Sequence, residues 1–209
     1  MADWDPERGK KDGLIDPVFL LRAYRAGIFP MALDNGELGW FSPDPRGIIP
    51  LDSFHVPHGL KRALRKKPFE IRVDSDFEAT LDGCADRDET WIDPVVKRTY
   101  LTLHNLGYAH SVEAWRDDEL VGGLYGVSIG GAFFGESMFS RESNASQAAL
   151  VALVARLNEQ GFLVLDTQWT TPHLRRFGAR DVPKGVYLRL LREAVEQENC
   201  FIEGKSPLL

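Results

Sequence analysis

The 209-residue sequence is short of the features that mark several protein classes. No uninterrupted apolar run reaches the roughly 18 residues that a membrane-spanning helix needs, so no span is expected. There are two cysteines, Cys84 and Cys200, far apart and without a metal-ligand spacing. That excludes a disulfide framework. The five histidines, His55, His58, His104, His110 and His173, form no ligand-spaced cluster, so no metal centre is expected. Met1 to Gly13 is polar and lacks the apolar stretch of a signal peptide, which predicts a disordered lead-in. Thiols without a secretion signal predict a reduced, cytoplasmic protein. Internal repeats and low-complexity tracts are absent too. What is present is 44% hydrophobic content, enough core for one large domain or two small ones.

A net charge of −6 argues against indiscriminate polyanion binding. The average hides Lys61, Arg62, Arg65, Lys66 and Lys67, which put five cations in seven positions just after His58. Such a run is either a solvated helix face or a patch that contacts phosphates.

Asp16-Pro17 pairs a good helix cap with a first-turn proline, and Gly27 suits the stop. Asp93-Pro94 repeats the signal for a helix ending at Gly107. Asp76 opens a short helix to about Cys84, and Asn35-Gly36 suits a hairpin turn. Phe69 to Val73 alternates as a strand. His110–Arg116, Glu119–Val127 and Ala132–Ser137 read as three strands joined by turns at Asp117-Asp118 and Gly130-Gly131. Asn144 is expected to cap a helix from Ala145 to Gln160. A strand from Phe162 to Asp166, a short helix from Thr171-Pro172 and an amphipathic helix from Pro183 to Glu196 follow. The reading is an α/β (α+β) chain, with a small N-terminal α/β domain over 14–67 that carries the basic patch. A larger domain over 68–209 follows. Its meander and β-α-β crossover resemble the acetyltransferase-like (GNAT superfamily) fold, in which a wedge between two central strands admits an acyl donor.

Two strand ends carry candidate chemistry. Gly135 to Arg141 is read as a strand-to-helix junction that sets Glu136 among aromatic and sulfur side chains. A buried carboxylate there is costly unless paired or working. Pairing with Arg141 is the plain alternative. Asp166 and Gln168, at positions i and i+2 of a strand, are expected on one face. A turn partner and a surface amide are their plain alternatives.

Six ordered blocks then carry a resemblance: Ala26-Gly27-Ile28-Phe29-Pro30; Trp40 with Ser42-Pro43-Asp44-Pro45-Arg46; Thr90-Trp91-Ile92; Gly107 to Glu113; Leu120 to Val127; and Phe134-Gly135-Glu136-Ser137-Met138-Phe139-Ser140. From about residue 14 to 191 the chain resembles the bacterial leucyl/phenylalanyl-tRNA–protein transferases. The resemblance implies transfer of Leu or Phe, less well Met, from aminoacyl-tRNA to the N-terminal amine of proteins starting with Arg or Lys. It implies marking for N-degron (N-end rule) degradation, no cofactor, no membrane and a monomer.

It further implies that Gln168 contacts the reacting amine, that Asp166 supports it as proton acceptor, and that Glu136 orients groups in the same site. An amino-acid pocket follows from Leu124, Phe133, Met138, Ser140, Leu150, Leu153 and Leu165. Trp40 and Trp91 would hold the terminal adenosine, and Lys61, Arg62, Arg65, Lys66 and Lys67 the tRNA phosphates. Leu124 and Leu153 stand where some relatives have Met and Phe, which leaves the order of preference among donors open. Two rivals remain. An acyl-CoA-dependent N-acyltransferase on the same fold would want glycines where Asn144 and Ser146 stand. A non-catalytic tRNA-binding module leaves Glu136, Asp166 and Gln168 without a task.

Overall fold

The computed structural model describes residues 10–11, 14–33, 37–88 and 90–202. The Asn35-Gly36 turn and most of the expected lead-in lie outside them. In chain order the elements are β1 (Lys10–Lys11), β2 (Leu14–Ile15), α1 (Pro17–Arg25), β3 (Phe29–Ala32), β4 (Leu38–Phe41), β5 (Arg46–Ile49) and α2 (His58–Leu64). Then come β6 (Glu70–Val73), α3 (Phe77–Ala85), α4 (Pro94–Asn105), β7 (Ala109–Arg116), β8 (Glu119–Ile129) and β9 (Ala132–Ser140). The last are α5 (Ala145–Glu159), β10 (Val164–Gln168), α6 (Pro172–Arg175), β11 (Arg180–Val182) and α7 (Lys184–Val195). None of the described helices is long and apolar enough to cross a membrane.

The helix starts follow their caps. Carboxylates of Asp16, Asp76 and Asp93 accept from the amides of Phe19, Ala79 and Val96 at 2.8, 2.9 and 2.7 Å. The Thr171 hydroxyl accepts from Leu174 at 3.2 Å. These bonds satisfy amides that a helix start otherwise leaves orphaned. Asn144 departs from expectation. It precedes α5 in a left-handed conformation (φ 71°) and its side chain makes no cap bond. Ser140, at the end of β9, supplies the hydroxyl instead, accepting from the Ser146 amide at 3.2 Å.

Seven strands form one mixed sheet in the order β11-β5-β10-β9-β8-β7-β6. The meander β7-β8-β9 is antiparallel, and α5 carries the chain over to β10, which lies parallel to β9. Arg46 to Ile49, expected in the small N-terminal domain, lies inside this sheet as β5, between β10 and β11. The two expected parts therefore share one sheet.

Alternation along the strands fills both faces. Tyr125 and Phe134 point into a cluster with Leu20, Tyr24, Tyr100 and Tyr187. Their neighbours Leu124 and Phe133 point the other way, against Leu150, Leu153, Leu157 and Leu165.

Two details position the site. The segment read as a junction, Gly135 to Ser140, is strand, paired with β8 as far as Gly122↔Ser140. The pairing of β9 with β10, by contrast, runs from Val164↔Ala132 to Asp166↔Phe134 and stops before this segment. Glu136 on β9 and Gln168 on β10 lie just beyond that point. On its other edge β10 carries an irregularity between Asp166 and Gln168, opposite Ile48 and Gly47. β10 runs two residues later than the strand expected at 162–166, and near its end lies the bulge. It presses the chain onto Gly47, where a Cβ would sit 2.4 Å from the Trp169 carbonyl carbon.

Candidate active site

A cavity of about 390 Å³ opens where β9 and β10 cease to pair. Leu124, Met138, Leu150, Leu153 and Leu165 line it, five of the seven side chains expected in an amino-acid pocket. The other two are elsewhere. Phe133 is fully buried behind the wall, 5.1 Å from the Phe201 ring. Ser140 is exposed at the far end of β9, donating to the Glu142 carbonyl at 2.7 Å, so its hydroxyl serves the start of α5 and no pocket floor.

Glu136 reaches the cavity wall half-buried. Tyr24 donates to its Oε1 at 2.8 Å and Tyr100 to its Oε2 at 3.0 Å, while the two phenol oxygens lie 2.5 Å apart. The three oxygen-bearing groups thus form a closed triangle in which either phenol can donate to the other. Burial pushes the Glu136 carboxyl up to about 7; the two tyrosine hydroxyls pull down, the Asp166 charge pushes up and Arg46 pulls down. Burial, with the nearby Glu136 charge, drives both phenols well above their ordinary values, so they remain donors. Arg141 is not the partner: it donates to the Leu120 carbonyl at 3.1 Å.

Asp166 has a different environment. Arg46 Nε donates to Oδ1 at 2.9 Å and Nη2 to Oδ2 at 2.6 Å. The Gln168 amide adds 2.9 Å to Oδ1, and the Tyr187 hydroxyl 2.5 Å to Oδ2. Arg46 also donates to the Gly27 carbonyl, and its guanidinium lies 4.8 and 4.6 Å from the ring centres of Phe29 and Tyr187. Burial alone would lower the Arg46 pKa, but the Asp166 carboxylate beside it outweighs burial and raises it. With four donors on its two oxygens, Asp166 is engaged within the protein and does not line the cavity.

Gln168 does line it, with φ at 56° and Nε2 3.4 Å from Glu136 Oε1. Thr167 lines it as well. Consecutive residues of a regular strand face opposite ways; the bulge brings both to one cavity.

Trp91 lines the cavity and meets Tyr100 edge-on at 6.3 Å. Trp40 does not line it; it packs edge-on against Phe19 at 5.3 Å. The basic side chains Lys61, Arg62, Arg65, Lys66 and Lys67 are all exposed, on or just after α2. Lys61, Arg62 and Arg65 border a separate shallow depression with His58. Sequence reasoning missed Arg46 as the partner of Asp166, the tyrosine pair, and further wall residues, among them Arg87, Trp169 and His173. Trp169 is 41% exposed and edge-on to Phe29, an unusual exposure for an indole.

Other chemistries fit poorly. Cys84 is buried and its thiol is pushed up to about 12, which makes it a poor nucleophile. No group of His, Cys, Asp and Glu among the described residues has the arrangement of a metal site. At the start of α5, Ala145 donates to the Glu142 carbonyl and Ser146 to Ser140, so these amides are already taken in the place where an acyl-CoA pyrophosphate would need them.

Comparison with known proteins agrees along the chain. Residues 13–44 match the leucyl/phenylalanyl-tRNA protein transferase N-terminal domain, and residues 48–192 the leucyl/phenylalanyl-tRNA protein transferase family. A leucyl/phenylalanyl-tRNA–protein transferase of Akkermansia muciniphila is 53% identical over 189 residues, 88% of this chain and 98% of its own length. Among solved structures, L-PGS from Bacillus licheniformis is 12% identical with a TM-score of 0.46, over 74% of this chain and 66% of that one.

Proposed function

The chain belongs to the leucyl/phenylalanyl-tRNA–protein transferase family, an aminoacyltransferase that moves an amino acid from aminoacyl-tRNA to a protein N-terminus, and from that premise we propose how its cavity serves the transfer. The observation that carries the proposal is Glu136, a carboxyl near 7 in the wall of an otherwise apolar cavity.

An acceptor α-amine has an ordinary pKa of about 7.7–8.0, so most of it arrives as ammonium near neutral pH. Glu136, ionised in part at that pH, takes the ammonium proton. The freed nitrogen lone pair attacks the ester carbonyl carbon, and the carbonyl π pair moves to oxygen. Collapse re-forms the carbonyl and breaks the C–O bond to the ribose. The ribose oxygen leaves with the second proton, given up by the nitrogen, and Glu136 releases the first to solvent, so one amide and one free hydroxyl replace one ester and one amine. The ester is already activated, so no nucleotide need be hydrolysed. Gln168 holds the reacting groups beside Glu136. Asp166 acts as a positioning residue, its Oδ1 fixing the Gln168 amide at the bulge. This reassigns the proton from Asp166, whose oxygens are already taken, to Glu136.

The donor side chain, Leu or Phe and less well Met, lies among Leu124, Met138, Leu150, Leu153 and Leu165, with Phe133 as backing. Trp91 stacks on the terminal adenosine; such stacking contributes about 1–3 kcal/mol and tolerates any base. The cations of α2 take tRNA phosphates further along. The gap between β9 and β10 is the counterpart of the acetyltransferase-like wedge. The acceptor begins with Arg or Lys, the protein acts as a cytoplasmic monomer, and its product enters N-end rule degradation.

The test is transfer from radiolabelled Leu-, Phe- and Met-tRNA to peptides starting with Arg, Lys, Asp or Glu. Label should reach the Arg and Lys peptides, most from Leu and Phe. No label on any of the peptides overturns the reading.

A further inference from the structure

Among the described residues that line the cavity, Arg87 is a cation that the transfer chemistry leaves unused. Arg87 lies just after α3 and lines the cavity on the side of Trp91, Ser137 and Met138. Its Nε donates to the Cys84 carbonyl at 2.8 Å. Its Nη2 donates to the Ser137 hydroxyl at 2.8 Å and to the Met138 carbonyl at 3.3 Å. All three acceptors are neutral. Among the described residues Arg87 has no ion-pair partner, and Nη1 has no partner at all. An exposed arginine normally moves over many rotamers, and ordering it costs free energy. Here two nitrogens are tied to a helix end and to β9, the strand that carries Glu136. The planar group is thereby held with Nη1 and its two hydrogens open.

A fixed guanidinium at a rim, without a carboxylate partner among the described residues and with Nη1 free, fits an anionic phosphate oxygen. The lining offers it no such group, since Glu136, the acid of the cavity, is already bound to Tyr24 and Tyr100. Resting on the transfer reading above, we propose that Arg87 binds the phosphodiester on the 5′ side of the donor's terminal nucleoside. It would act together with Trp91, which borders the same side of the cavity. This contact differs from the α2 patch, which borders a separate depression. It is a single phosphate within a nucleotide of the reacting ester, and it sets how far the ester enters the cavity.

The experiment uses the full chain, an Arg-initiated acceptor peptide and two small donors: 3′-O-phenylalanyl-adenosine and 3′-O-phenylalanyl-adenosine 5′-monophosphate. The wild type should show a KM for the phosphorylated donor roughly tenfold below that for the bare one. Arg87→Gln should remove this difference by raising KM for the phosphorylated donor more than for the bare one, and Arg87→Lys should restore part of it. Equal loss on both donors overturns the proposal, because it means that Arg87 only braces β9. So does a phosphate preference that survives Arg87→Gln. A wild type that transfers from both donors without preferring the phosphate overturns this inference alone. A wild type that transfers from neither overturns the transfer reading and this inference with it.

Discussion

Glu136 and Asp166 are two carboxylates on adjacent parallel strands, one on each side of the point where pairing stops. Asp166 is fully buried, held by a bidentate arginine and two further donors. Glu136 has two phenols and a distant amide, and burial pushes it up to about 7. A guanidinium compensates the lost hydration of a carboxylate, whereas neutral hydroxyls do so in part. The partners thus divide the work: the paired acid is a fixture, and the poorly paired acid is free to exchange a proton at physiological pH.

The largest effect should come from removing the fixture. Arg46→Met leaves Asp166 buried without its cation and should lower unfolding free energy by about 3–5 kcal/mol in urea titration. Adding Asp166→Leu should recover most of that stability, but not transfer activity, because the Gln168 amide loses its anchor. If the double variant is no more stable than the single one, the pair is not what holds the strands.

Next comes the exchangeable acid. The folded chain raises Glu136 from an ordinary 4.5 to about 7, so folding favours its protonated form. That stabilisation is full below the ordinary value and is lost as pH rises to about 7, which amounts to about 3 kcal/mol. Glu136→Gln should therefore lose less stability than the wild type between pH 4 and pH 8 in urea titrations. Its kcat should fall by roughly a hundredfold or more, since no group there takes the amine proton. Equal pH dependence of stability in the two proteins would place the titration elsewhere.

The smallest effect should come from the tyrosines. Tyr24→Phe removes a donor that favours the Glu136 anion. The rise of kcat with pH should then move upward by up to about one unit. A shift to lower pH would mean that the phenol favours the protonated acid.

Local signals in the sequence predicted local structure well. Asp16, Asp76, Asp93 and Thr171 cap the helices assigned to them, because a cap reads only three residues ahead. Glu136 stood out as an acid in apolar company, and the cavity lies against it. What depended on distant partners stayed hidden. Arg46 looked like the end of a proline-rich loop, since nothing near it indicates Asp166, 120 positions away. Tyr24 lies 112 positions from Glu136 and reads simply as the apolar face of α1. The expectation that Asp166 and Gln168 share a face took β10 as regular; a bulge moves Gln168 to the cavity and leaves Asp166 behind it. Alternation likewise gave no warning that Phe133 would back the cavity wall and Ser140 run past it.

The placement of β5 has a consequence for how the chain is made. In the sheet, β5 has two neighbours, β10 and β11, and both come from the last third of the sequence. As the chain leaves the ribosome, Arg46 to Ile49 must wait for most of the protein with both edges unpaired and a guanidinium lacking its acid. Contacts of such long sequence separation close late and slowly. The cavity, the bulge at Gly47 and the Arg46–Asp166 pair all depend on that closure. A chain stalled before β10 and β11 can carry a complete meander and still have no active site, so activity reports that synthesis has passed these two strands.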